Sequence, residues 1–156
     1  MIGLLLAPAA AEATTYGPAP DLEALAARSD SAVLGTVRAL TPELRGGEVW
    51  SVVEVAPATG PSVRVSIPGG CRGQICMTVP GAPRVAVGET VFVFLRDGQP
   101  TGFSDGVFHV RGDVGWSDLA AVSVRDARLP VVQAPLSALL EAAAPLLPPA
   151  EAGSRP

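Results

Sequence analysis

From Ser62 to Ile67 the chain alternates apolar and polar, placing Val63, Val65 and Ile67 on one face and Ser62, Arg64 and Ser66 on the other. That is the pattern of a half-buried strand. Ser31–Leu40 and Glu48–Val55 also read as strands, joined by a loop through Pro42 and Gly46-Gly47, so these segments predict the start of an antiparallel meander. Gln74–Val79 is expected to pair back on Ser62–Ile67. Glu89–Leu95, with its near-continuous Val91-Phe92-Val93-Phe94-Leu95, suits a strand buried on both faces. A last pair near Thr101–Phe103 and Gly106–Val110 is expected to close the sheet.

Two segments carry helical patterns. Asp21 is placed to accept the free amides of a helix over Leu22–Ser29, where Leu22, Leu25 and Ala26 share a face. Leu136–Ala144 is rich in helix formers, with Leu136, Leu139 and Leu140 on one stripe and Pro145 limiting its far end. Asp113–Pro130 is mixed, with a weak strand at Ala121–Val124. The elements together predict a mainly β (α+β) fold, a small OB-like β-barrel of about five to six strands with a short N-terminal helix and a C-terminal helix. Residues 21–147 form a single domain in this reading, and 148–156 a disordered Pro/Ala-rich tail.

Composition narrows the picture. Apolar residues make up 48% of the 156, but aromatics only 4%, and 17 Gly with 16 Pro imply many turns and short elements. All 11 basic residues are Arg and Asn is absent, so Arg-over-Lys choices carry little functional meaning. A net charge of −4 supplies no general attraction to phosphate backbones or anionic lipid, and no nucleic-acid partner is expected. Residues 1–13 combine the apolar run Met1–Pro8 with small residues at Ala9–Ala13, which fits a signal peptide and a periplasmic or secreted protein. No Lys or Arg precedes that run, so a truncated signal with its start upstream of Met1 and a frayed alanine-rich terminus both stay open. No segment elsewhere approaches the ~20 apolar residues of a transmembrane helix.

The candidate chemistry is sparse. Cys71 and Cys76, separated by a stretch containing Gly73, suit a disulfide across a hairpin. Such a short loop removes little unfolded-chain entropy, so the bond is expected at the low end of ~2–4 kcal/mol and serves mainly to pin the turn. The alternative is a redox or metal pair used with His109; a zinc site needs about four ligands and the inventory falls short. His109, in Phe108-His109-Val110 with Asp105 and Asp113 nearby, reads either as a general base with an orienting carboxylate or as a hydrogen-bonded strand histidine. Asp97, Asp105, Asp113 and Asp118 lie near glycines, but their spacing matches no calcium loop. Arg111-Gly112-Asp113 reads as a turn. Trp50 and Trp116 are core anchors or exposed binding residues. No nucleophile elbow, phosphate loop, dinucleotide fingerprint or zinc helix occurs in the sequence, so no catalytic residue, cofactor or metal is assigned.

Leu25–Val37 with its Ser29-Asp30-Ser31, then Pro68-Gly69-Gly70, Val79-Pro80-Gly81-Ala82-Pro83 and Gly88-Glu89 before Phe94-Leu95, resemble a group of exported, uncharacterised bacterial small β-barrel proteins. The likeness spans roughly Asp21 to Val110 and extends remotely to OB and netrin-like barrels. It implies a fold and a compartment. Netrin-like metalloproteinase inhibitors reach the protease zinc with an N-terminal cysteine, and here no cysteine precedes Cys71. The expected function is that of an exported, non-enzymatic module binding another protein or an envelope ligand through loops that include Arg72, Gln74, Asp97, Asp105, His109, Trp50 and Trp116. A redox, metal-binding or enzymatic role for Cys71, Cys76 and His109, and a purely structural accessory domain, are the alternatives. Oligomeric state is left open.

Overall fold

The computed structural model describes residues 22–117 and 133–147. The expected signal segment, the expected Asp21 cap, Asp118, the weak strand expected at Ala121–Val124 and the expected C-terminal tail lie outside them. In chain order the elements are α1 (Leu22–Ala27), β1 (Ser31–Arg45), β2 (Glu48–Pro57), β3 (Val63–Pro68), β4 (Gly70–Arg72), β5 (Ile75–Met77), β6 (Thr90–Arg96), β7 (Gln99–Pro100), a 3-10 turn (Phe103–Gly106), β8 (Val107–Arg111), β9 (Val114–Ser117), β10 (Gln133–Pro135) and α2 (Leu136–Ala143). Two-residue turns explain the tight reversals. Gly46 and Gly47, between β1 and β2, both hold positive φ (58° and 89°), the geometry whose twist matches paired strands and which glycine adopts without strain.

Eight strands form one antiparallel sheet in the order β10-β9-β8-β6-β1-β2-β3, with β7 paired to β6; β4 and β5 form a separate two-stranded ribbon. The long β1 organises the sheet. Its first half pairs with β6, Ser31 opposite Leu95 through Thr36 opposite Thr90, and its second half pairs with β2 out to Arg45 opposite Glu48. A register shift between Val37 and Ala39 marks the handover. Where the two pairings overlap, a Cβ at Gly35 would lie 2.4 Å from the Ala56 carbonyl oxygen, so only glycine admits this close approach.

β6 is apolar throughout because its two faces feed two different cores. Val91, Val93 and Leu95 join Val33, Val37, Val53, Val55, Val65, Ile67 and Val107 in an aliphatic cluster. Phe92 and Phe94 join Phe108 with Leu25 of α1 and Leu139 and Ala143 of α2 in an aromatic one. The Phe92 and Phe94 rings are 5.1 Å apart, and Phe94 meets Phe108 edge-on at 6.3 Å, the tilted arrangements that aromatic quadrupoles favour. Both helices therefore sit on one face. α2 approaches closely because β9 presents Gly115 beneath Leu139, whose Cδ1 would stand 2.5 Å from a Cβ there.

Three expectations are corrected. The sheet is not a closed barrel: β6 pairs with β8, which is followed in the sheet by β9 and β10, and β3 remains at the other end of the strand order. The Ser66 amide donates to the Gly98 carbonyl at 2.8 Å, but no ladder joins β3 to β7 among the described residues. Second, the segment after β3 does not pair back on it. Ile75–Met77 pairs with Gly70–Arg72, because Gly69 and Gly70 hold positive φ (101° and 122°) and turn the chain off the sheet edge. Third, Pro42 stands inside β1, and Phe103 belongs to the 3-10 turn; β8 begins at Val107. The strand of the meander at Ser62–Ile67, the doubly buried β6 and the C-terminal helix at Leu136 lie where the hydrophobic pattern placed them.

Candidate functional site

Cys71 and Cys76 face each other across β4 and β5 and form a disulfide. The ribbon folds back over the outer end of β1 and β2 and is anchored at its base. Gly69 N donates to the Val49 carbonyl at 2.8 Å, and Ser51 Oγ donates to the Gly69 carbonyl at 2.8 Å. A Cβ at Gly70 would lie 2.4 Å from Ser51 Oγ, which leaves glycine as the residue that fits. Arg72 and Gln74 are exposed at the ribbon's tip.

Between this ribbon and the chain that follows it opens a cleft of about 330 Å³, at the lower bound of the volume typical for ligand sites. Its floor is the aliphatic face of the meander, at Leu40, Ser51 and Ile67, and one wall is the disulfide itself. Pro80, Pro83 and Arg84 come from the connection to β6. That connection is held in place: the Gly88 amide donates to the Val37 carbonyl and the Val37 amide to the Glu89 carbonyl, both at 2.8 Å. The prolines fix φ along the wall. Arg84 is the only charged residue lining the cleft, is exposed, and makes no ion pair or hydrogen bond among the described residues.

The other candidates lie elsewhere. His109, on β8, aligns with Val91 of β6 and Trp116 of β9. Its Nδ1 pairs with a Glu89 carboxylate oxygen, while the other oxygen accepts from the Ala86 amide at 2.9 Å. The carboxylate that orients the imidazole is thus Glu89 rather than Asp105 or Asp113. Nε2 is buried without a partner among the described residues. Neither cysteine nor His109 is brought near the other in the cleft lining, and as a disulfide the sulfurs offer no thiolate.

Asp97 occupies the β6–β7 turn at φ 53°. Its amide donates to Asp30 Oδ2 at 2.7 Å, and Ser31 Oγ donates to Oδ1 at 2.8 Å, which hold the Asp30 carboxyl below the usual range. With the Asp30 amide on the Leu95 carbonyl, the Ser29-Asp30-Ser31 motif fastens the end of α1 to the end of β6. Asp105 is half-buried; burial pushes its carboxyl up while the Arg28 guanidinium draws it down. Arg111-Gly112-Asp113 is the β8–β9 turn. Trp50 is half-buried on the polar face of the meander, with the Arg45 guanidinium 5.6 Å from its ring. Arg45 and Arg64 both pair with Glu43, at 2.8 and 2.7 Å, and the Arg45 hydrogen bond leads in lowering the Glu43 carboxyl. No group of three His, Cys, Asp or Glu side chains able to hold a metal ion occurs among the described residues.

Reasoning from sequence overlooked Arg84 and Glu89. Arg84 had a visible signal, being the sole charge between Arg72 and Glu89. Glu89 had none, since its meeting with His109 depends on the β6–β8 register. A scan of protein-family models, a search of the curated proteins and a search of the solved structures each returned no match to this chain. No described helix is long and apolar enough to cross a membrane.

Proposed function

We propose that the protein is an exported, non-catalytic module that binds a segment of another protein or an envelope ligand in the cleft beside the Cys71–Cys76 ribbon. One observation carries this reading. Leu40, 38% exposed, lines the cleft together with Met77, Pro80, Pro83 and Val85, while the exposed Leu44, Ile75 and Val87 lie outside the lining, on the same strand or near lining residues in sequence. An open, largely apolar concavity is the usual form of a binding site. The disulfide and the prolines hold the walls in place before binding, which lowers the ordering cost of association. The disulfide supports the extracytoplasmic setting.

The test is hydrogen exchange of the folded protein with and without an envelope extract of its host. Slowed exchange confined to residues 69–88 and to β1 beyond Val37, abolished by Leu40→Arg, is the expected result. Exchange unchanged in those segments across all extracts would sink the reading.

A further inference from the structure

Among the described residues, the second half of β1 is an open edge inside the strand order, in addition to the outer strands β3 and β10. From Ala39 to Arg45 it pairs with β2 on one side, and on the other no described strand or loop bonds to it. The Gly46-Gly47 turn fixes which groups are free. A two-residue turn makes its flanking pair, Arg45 and Glu48, a mutually hydrogen-bonded one, and the pattern then alternates. Arg45 and Glu43 therefore direct their backbone groups to β2, and Leu44, Pro42 and Leu40 direct theirs outward. Pro42, which has no amide to donate, thus stands where its missing N–H interrupts only the open edge.

We infer that this edge and the cleft form one site, which takes an extended segment of another protein as an added strand, with an acidic residue of that segment on Arg84. This rests on the binding-module reading and specifies its ligand. Leu40 belongs to both features, lining the cleft and offering an outward amide and carbonyl. Leu40 and Leu44 would supply side-chain contacts on the cleft face, and main-chain bonds would supply the rest, as in β-augmentation. Arg84, the only charge of the lining and without an ion pair or hydrogen bond among the described residues, selects an anion and suits a carboxylate through its forked donors.

A second copy of the chain fits worse. Antiparallel pairing of two β1 edges about Pro42 removes ladder bonds on both copies. Pro42 removes one donor against a foreign strand and two against itself.

The test uses the full chain against a displayed library of random decapeptides, followed by titration of the enriched peptide. Enrichment of Asp or Glu beside alternating apolar residues is expected. Methylating alternate backbone amides of the peptide should weaken binding about tenfold or more, and Arg84→Glu should do the same; exchanging the peptide's acid for Lys should then restore binding to Arg84→Glu. Full-strength binding by the methylated peptide or by Arg84→Glu overturns the inference. So does a concentration-dependent dimer that the peptide dissociates, which would make the second copy the occupant. If no peptide is enriched while envelope extract still slows exchange at residues 69–88, the strand inference falls and the binding module stands. If the enriched peptide binds Leu40→Arg unchanged, with that variant folded by circular dichroism, both fall.

Discussion

The two faces of the sheet are covered by different kinds of structure. On one, α1 and α2 close over Phe92, Phe94 and Phe108, each fully buried. On the other, the valine core is packed against by Ala82 and Val85 of residues 69–88, whose glycines, prolines and disulfide form a ribbon and a fixed connection with a cleft between them. Helices present a continuous apolar stripe and seal what they cover. Irregular chain cannot tile a face so completely, and the gap it leaves is the cleft. The proposed binding function places stability and recognition on opposite sides of β6.

The strongest way to break that division is to open the aromatic face. Phe94→Ala should destabilise the protein by about 3–5 kcal/mol, read from denaturant midpoints, whereas Arg84→Gln at the cleft should stay within about 0.5 kcal/mol. Comparable losses at the two positions would refute it. Gly35→Ala comes next: its Cβ meets backbone, not a pliable side chain, at 2.4 Å from the Ala56 carbonyl oxygen, and a loss of about 1–3 kcal/mol is expected from overpacking. Gly115→Ala, where the nearest obstacle is the end of the Leu139 side chain at 2.5 Å, with the Phe108 Cβ at 3.2 Å, should cost less, because a side-chain end yields more readily than backbone.

Replacing both Cys71 and Cys76 by Ser should lower stability by no more than about 2 kcal/mol, since the bridge closes a short loop. Amide exchange should quicken in residues 70–77 and hardly change in β6, which separates the ribbon from the core it lies over. The smallest effect concerns Asp105. Its folded carboxyl is raised by burial, so the native chain holds that proton more tightly than the unfolded one. Stability from this group is full below the unfolded value and declines as pH rises through the raised folded value. Asp105→Asn should match the parent in acid and melt slightly higher at neutral pH; a variant melting lower at neutral pH would mean the Arg28 attraction outweighs burial.

Local periodicity made the meander, β6 and α2 legible in the sequence, because each buries a stripe that repeats at its own period. The disulfide was legible from Cys71, Gly73 and Cys76 alone. What periodicity does not contain is the partner of each face. That β6 pairs with β8 and the sheet does not close on β3 is decided by which hairpin pairs with which edge, and no residue within β6 encodes it. The cleft was half legible for the same reason: the ribbon stood out, but its floor at Leu40 and Ser51 comes from strands earlier in the chain.

The position of β1 at the middle of the sheet also sets a timetable. Its pairing with β2 and that of β2 with β3 run through short turns, so the meander can zip from Gly46-Gly47 within a single stretch of chain. Its pairing with β6, Ser31 to Leu95, must wait for a loop spanning the meander, the ribbon and the cleft wall to close, and non-local closures of this kind slow folding. Stopped-flow refolding with a pulse of amide labelling should find β2 protected before β6. A chain that protects both at once would have to nucleate on the valine core itself, with the edge of β1 unguarded until the end.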